Sequence, residues 1–144
     1  MRYSNRLPNK FYIGRGNDSD NMMLSLACFR LMRNGLKFNI CDLETSCLRN
    51  RDVKDMSKRI EAKITGSLLY SCRFWAFHLR DAMTNRYAQG VLLGEVKEFF
   101  DVRLLFWLEV MSLTGEVTAA KSALLIVVQL VEVRSFLLAV GSHC

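Results

Sequence analysis

At 144 residues, 51% hydrophobic and 24% charged, the chain has the length of one domain and a globular composition, which excludes a disordered protein. Its formal net charge of +6 is unevenly spread: residues 1–17 carry Arg2, Arg6, Lys10 and Arg15 with no acid, and the rest is close to neutral at +2. Most of the basic excess is therefore a short solvated arm, so neither nucleic acid nor a membrane is an expected partner.

Pro8 is the only proline, which leaves long helices uninterrupted after it. Residues 1–19 read as an irregular basic leader, with Phe11-Tyr12-Ile13 a short strand candidate. It shares arginine content with a transit peptide, but Pro8 and two glycines break any amphipathic face. Asn17 to Asp20 offer capping side chains for a first helix over about 20–36. Leu24, Ala27, Cys28, Leu31 and Met32 share one face of it, while Arg30, Arg33 and Asn34 look away and Gly35 sits near its end. A connector over 37–51 follows, with Phe38, Ile40, Leu43 and Leu48 as apolar anchors.

Asp52 or Asp55 then caps a second helix that ends near Ile64 and presents Val53, Met56, Ile60 and Ile64. Thr65-Gly66-Ser67 breaks it and caps the next helix. That helix, Leu68 to Met83, is apolar on two opposite sides. Leu68, Cys72, Trp75, Ala76, Leu79 and Met83 form one stripe, and Tyr70, Phe74 and Phe77 form a second. Between them run two polar seams, Arg73 with Arg80 and Ser71 with His78. A helix apolar on both sides needs neighbours on both. It is either the centre of an all-α domain or half of an interface.

Residues 84–94, around Gly90 and Gly94, read as a loop. Glu95 to Leu113 is denser in apolar residues than one amphipathic helix requires, so two short helices are expected to meet near Asp101-Val102. Thr114-Gly115 ends the second. The tail from Leu124 to Val140 is mostly aliphatic, but Glu132 and Arg134 sit within it. Its seventeen residues reach only the lower limit for spanning a bilayer, and each central charge costs about 2.5–3.5 kcal/mol on insertion. A buried helix is the better reading, with a strand as the minor alternative for the β-branched run. The organisation is thus a leader over 1–19, a helical domain over 20–115 and an apolar C-terminal helix or tail over 116–144. The fold class is all-α, an irregular helical bundle or a short α-solenoid-like array of five to six helices.

Chemistry is sparse. No phosphate-binding loop exists, and Gly14-Arg15-Gly16 is too short for a dinucleotide fingerprint. His78 is the only internal histidine, and Ser71 lies two helical turns from it, too far for a nucleophile–base pair. Asp52 with Asp55 and Glu95 with Glu98 are ordinary helix-start carboxylates. The cysteines at 28, 41, 47, 72 and 144 match no zinc spacing, and an odd count points to free thiols in a reducing, cytoplasmic setting. Cys28 and Cys72 on apolar stripes act as small hydrophobes, and Trp75 and Trp107 read as core. No catalytic, cofactor-binding or metal-binding residue is expected, and no small-molecule substrate. The candidate interaction residues are Tyr70, Phe74 and Phe77 with Arg73 and Arg80.

Three ordered blocks carry a resemblance: ACFRLMRNGLKFNICDLE over 27–44, LYSCRFWAFHL over 69–79 and EFFDVRLLFWLE over 98–109. Together they resemble the helical region that follows the NACHT nucleotide-binding module in fungal STAND NTPases, the vegetative-incompatibility-like proteins that often end in WD-type repeats. The resemblance runs over roughly 7–115. It implies a helical linker between an NTPase switch and sensor repeats, in proteins of incompatibility or innate-immunity-like signalling. The phosphate-loop lysine, magnesium-binding acids and winged-helix histidine of that family lie upstream of this region, and His78 does not match that histidine. The matched positions are structural: Leu31, Leu36, Cys72, Trp75, Leu105, Trp107 and Leu108. Ile64-Thr65-Gly66-Ser67 departs from the family where a proline is common, and the likeness stops after Gly115.

The expected function is a non-enzymatic linker or interaction domain, a fragment or truncated paralogue of such an NTPase, whose partner is a protein such as a full-length relative. The alternative is a small basic helical nucleic-acid binder using the arm with Arg30, Arg33, Arg49 and Arg51. A tail anchor through Leu124–Val140 is the third reading.

Overall fold

A computed structural model describes residues 18–141 apart from 46 and 85, with side chains described over 20–135 except 46 and 85–87. They form α1 (Asp18–Gly35), α2 (Met56–Lys63), α3 (Gly66–Ala82), α4 (Arg86–Glu98), α5 (Leu104–Leu113) and α6 (Val117–Gly141). A 3₁₀ turn covers Asn50–Asp52, and a π turn over Phe99–Arg103 joins α4 to α5. The described residues contain no strand, so the protein is the expected all-α type. It is a bundle: α3 packs against α1, α4, α5 and α6, whereas a solenoid repeat touches only its neighbours. The strand alternative for the tail is overturned, and Phe11-Tyr12-Ile13 lies outside the described residues.

Local chemistry starts α3 where the sequence indicates. Thr65 is its N-cap, and its Oγ1 accepts the Leu68 N–H at 3.2 Å. The buried face of α3 is Leu68, Ser71, Cys72, Trp75, Ala76, Leu79 and Ala82. Small residues there let α1 approach antiparallel, with Gly35 at the end of α1 directly against Leu68 at the start of α3. A Cβ on Gly35 would lie 2.9 Å from a Leu68 methyl.

The observed face of α1 is rotated from the expected one. Ser25, Cys28, Phe29, Met32 and Leu36 are buried, while Leu24, Ala27 and Leu31 are exposed. Phe29 decides this. Its ring stands 5.6 Å from Trp75 and 6.1 Å from Phe99, and burying an aromatic ring removes more apolar area than burying a leucine. Trp75 is in turn 4.8 Å from Phe99 and 5.9 Å from Trp107. This four-ring cluster is the centre of the core.

The loop expected over 84–94 is instead most of α4. Gly90 and Gly94 are exposed, and a Cβ on either would meet nothing within 4 Å. On the other side Ala88 and Leu92 are fully buried. Two glycines cost about 1 kcal/mol each in helix propensity, and the packing of that opposite face overrides them.

The expected break near Asp101-Val102 falls inside the π turn, where the chain bends its register without leaving the helix. Phe99 and Trp107 are eight residues apart, which in a regular helix sets them about 80° out of line. The extra residue of a π turn makes eight act roughly as seven, so both rings face the core.

α6 is buried on one face along its first half and exposed over the last residues whose side chains are described. Ala120, Ala123, Ile126 and Val127 are buried, whereas residues 131–135 are exposed. Among the described residues, no helix is long and apolar enough to cross a membrane.

Two expected anchors of the 37–51 connector are also overturned: Phe38 is 79% exposed and Leu48 is 51% exposed. Ile40 is buried as expected. A polar anchor supplements it. The Glu109 carboxylate accepts the backbone N–H groups of Asn39 and Ile40 at 3.1 and 3.2 Å, pinning a loop whose Asn39 and Asp42 both take positive φ. Arg59 completes the clamp by donating to the carbonyl of Asp42 at 2.8 Å and to the Glu44 carboxylate at 2.7 Å.

Candidate interaction surface

The side of α3 opposite its buried face brings Tyr70, Phe74 and Phe77 together. Tyr70 and Phe74 have ring centroids 4.9 Å apart, and Phe74 and Phe77 stand at 6.3 Å. Tyr70 is 46% exposed; Phe74 and Phe77 are half-buried. Tyr70 and Phe74 pack along the ridge, whereas Phe77 also packs against the hydrophobic core. The phenol reaches along two turns of helix, so that Tyr70 OH and His78 Nε2 are 2.9 Å apart.

The arginines flank the ridge. Arg73 stacks its guanidinium 5.3 Å from the Phe74 centroid, and Arg80 lies 5.5 Å from that of Phe77. Each also has a carboxylate partner, a distant one for Arg73 and the next residue for Arg80. Arg73 Nε is 3.4 Å from the Glu116 carboxylate just ahead of α6, and Arg80 Nε is 3.0 Å from Asp81. The pair therefore offers planar stacked cations already matched to carboxylates, which suits a protein surface better than a free anion.

The second polar seam does not survive. Ser71 is fully buried against α1, and its Oγ donates to the Ser67 carbonyl at 2.9 Å. Only His78 remains on the outward side, where partial burial lowers its pKa below the usual imidazole value and Asp81 opposes the shift. No base–nucleophile geometry results, because Ser71 is buried and bonded to the Ser67 carbonyl while His78 meets the Tyr70 phenol.

The buried thiols are inert by environment. Burial pushes the Cys72 thiol up to about 12, with Cys28 adding to the effect. Burial also raises Cys28, partly offset by a hydrogen bond with Ser71. Burial raises Cys41 as well, reinforced by Glu109 and Asp42. A thiol held protonated is a poor nucleophile and metal ligand. Among the described residues, no three His, Cys, Asp or Glu side chains converge as a metal site would need.

The arginines of the nucleic-acid alternative are mostly engaged. Arg33 pairs with Glu95 and lies 3.8 Å from Glu98, while Arg49 and Arg51 both approach Asp52 at 2.8 and 3.8 Å. Arg30 is exposed, and the arm at 1–17 lies outside the described residues.

Sequence reasoning missed three features. One is a groove of about 560 Å³ between the connector and α5, lined by Phe38, Leu43, Leu48 and Glu109 among others. Another is the link from Glu116 to Arg73, which depends on where α6 starts. The third is the exposed apolar face of α6. Only the last had a readable signal, in the spacing of Val117, Leu125 and Val128.

Comparison with family models, curated proteins and solved structures finds no match. Of the seven positions matched in the resemblance, Leu36, Cys72, Trp75 and Trp107 are buried. Leu31, Leu105 and Leu108 are exposed, Leu105 at 74%.

Proposed function

We propose that this chain is a non-enzymatic helical interaction domain, related to the helical region after the NACHT module of fungal STAND NTPases. It docks on a protein partner, a full-length NTPase relative, through the outward ridge of α3. The protein works in the cytoplasm as a piece of an incompatibility or innate-immunity-like switch.

The observation that carries this reading is the ridge itself. Tyr70 and Phe74 stand on the outward side of α3 with Phe77 between them and the core, bordered by two stacked arginines. Aromatic residues and arginine are the side chains enriched at binding hot spots. The high-pKa thiols, the neutralised arginines and a His78 bonded to Tyr70 rather than to a nucleophile argue against catalysis within the described residues.

The test is direct binding of the full chain to a purified NACHT-containing relative, measured by calorimetry. Wild type is expected to bind, and Y70S/F74S to weaken binding at least tenfold with unchanged helical circular dichroism. Equal affinity of the variant, no binding at all, or nucleotide turnover by the isolated chain would overturn the proposal.

A further inference from the structure

A second surface, independent of the α3 ridge, lies along α6. Among the residues of α6 that point away from its buried Ala123, Ile126 and Val127, one stripe, flanked by the uncharged Thr118 and Gln129, is Val117, Lys121, Leu125, Val128 and Glu132. Their spacings of four, four, three and four keep them on one helical face over about 22 Å. Val117 is 62% exposed, and Leu125 and Val128 are each 51% exposed. Beside them an almost wholly apolar groove of about 340 Å³ opens between α5 and α6, with Leu108, Ala120 and Leu124 in its lining.

The order of chemistry along this stripe is self-complementary. Read from both ends it places a cation and an anion at equal distances from a centre between Leu125 and Val128. If a second α6 lies antiparallel across the first on a two-fold axis at that centre, Leu125 faces Val128 of the other copy. Lys121 then faces Glu132 of the other copy. The axis generates each contact twice, as a two-fold interface requires. Lys121 and Glu132 are exposed and form no ion pair among the described residues, unlike Arg73, Arg80 and Arg33. A parallel arrangement would oppose Lys121 to its own copy and Glu132 to its own copy.

We infer that the protein forms a two-fold homodimer through antiparallel pairing of α6, with Leu125 and Val128 seated beside the α5–α6 groove and Lys121 paired to Glu132 across the axis. The two charge pairs set direction and register, and the apolar centre supplies the affinity.

The full chain is tested by sedimentation across a concentration series. Wild type is expected to show a concentration-dependent monomer–dimer equilibrium. L125E, on an exposed face, should raise the dissociation constant about 100-fold or more, with its thermal unfolding and helicity close to wild type. K121E or E132K alone should each weaken the dimer about tenfold by setting like charges opposite. The double swap K121E/E132K should restore it, and an equimolar mixture of the two single variants should form the mixed dimer in preference to either homodimer. A monomer at every concentration up to hundreds of micromolar overturns the inference. So does a dimer unaffected by L125E, or a double swap that stays as weak as the single variants.

Discussion

α3 carries two aromatic clusters that look alike ring by ring and differ in everything around the rings. On its inner side Trp75 meets Phe29, Phe99 and Trp107 at centroid distances of 4.8 to 5.9 Å. On its outer side Tyr70, Phe74 and Phe77 meet at 4.9 and 6.3 Å. The inner rings are fully buried and come from four separate elements; the outer ones are neighbours on one helix and reach solvent. Their polar companions differ accordingly. Inside, Trp107 Nε1 donates to the Cys72 carbonyl at 2.9 Å. Outside, a phenol meets an imidazole and guanidinium groups cover ring faces. Ring geometry therefore does not separate a core cluster from an outward one. Sequence separation of the partners and the kind of polar group beside them do.

The largest effect that would test this contrast is at Trp75. Trp75→Ala should cost about 3–5 kcal/mol, the range for emptying a large aromatic from a packed core. The indole nitrogen of Trp75 is buried without a hydrogen-bond partner, so Trp75→Phe should cost much less, since it keeps a ring and removes an unpaired donor. Phe74→Ala on the other side should cost only about 1–2 kcal/mol, as for a half-buried residue that loses two ring contacts and an arginine stack. Urea unfolding of the three variants measures all of this. Equal losses at Trp75 and Phe74 would mean that the outer ridge is structural and no free surface.

Much of this contrast was legible in the sequence. The period of α3 separated Trp75 from Tyr70, Phe74 and Phe77, and Thr65 marked the start of the helix. What was not legible depends on distant partners. Ser71 looked like a seam residue because nothing local says that α1 brings Cys28 against it. Leu24 and Leu31 looked like core because the pull of Phe29 toward Trp75 and Phe99 is a tertiary fact. Gly90 and Gly94 looked like a loop because propensity is local, while the burial of Ala88 and Leu92 that overrides it is not. The outer ridge was readable as a pattern, but the Glu116 that neutralises Arg73 was not, since it sits 43 positions away in the chain.

The glycines sharpen the same distinction at smaller scale. Gly35→Ala should destabilise by about 1 kcal/mol. Its new methyl would press on Leu68, itself buried, and the flexible end of that side chain relieves only part of the overlap. Gly90→Ala and Gly94→Ala should each stabilise by about 0.5–1 kcal/mol, because the added Cβ meets nothing and the helix gains propensity. Denaturant midpoints decide the signs. A loss of stability at Gly90 or Gly94 would mean that this face of α4 is covered.

The smallest expected effect is a pH dependence confined to the outer cluster. His78 has a folded pKa below its ordinary value of 6.5 because burial disfavours the imidazolium. A depressed histidine binds fewer protons folded than unfolded, so stability is highest above about pH 7, declines as pH falls through 6.5, and levels off below the lowered folded value. The exposed carboxylates act in a separate window. A hydrogen bond with Lys63 holds Asp42 below 3.8, and one with Arg59 holds Glu44 below 4.5, so their contributions persist above those values and are lost only at more acid pH. Unfolding free energies between pH 7.5 and 5 should therefore report His78 with little interference. His78→Gln should flatten the slope in that range, whereas Trp107→Phe, which alters the inner cluster, should lower stability equally at every pH and leave the slope unchanged. A slope that survives His78→Gln would place the titrating group elsewhere and detach the imidazole from the energetics of the ridge.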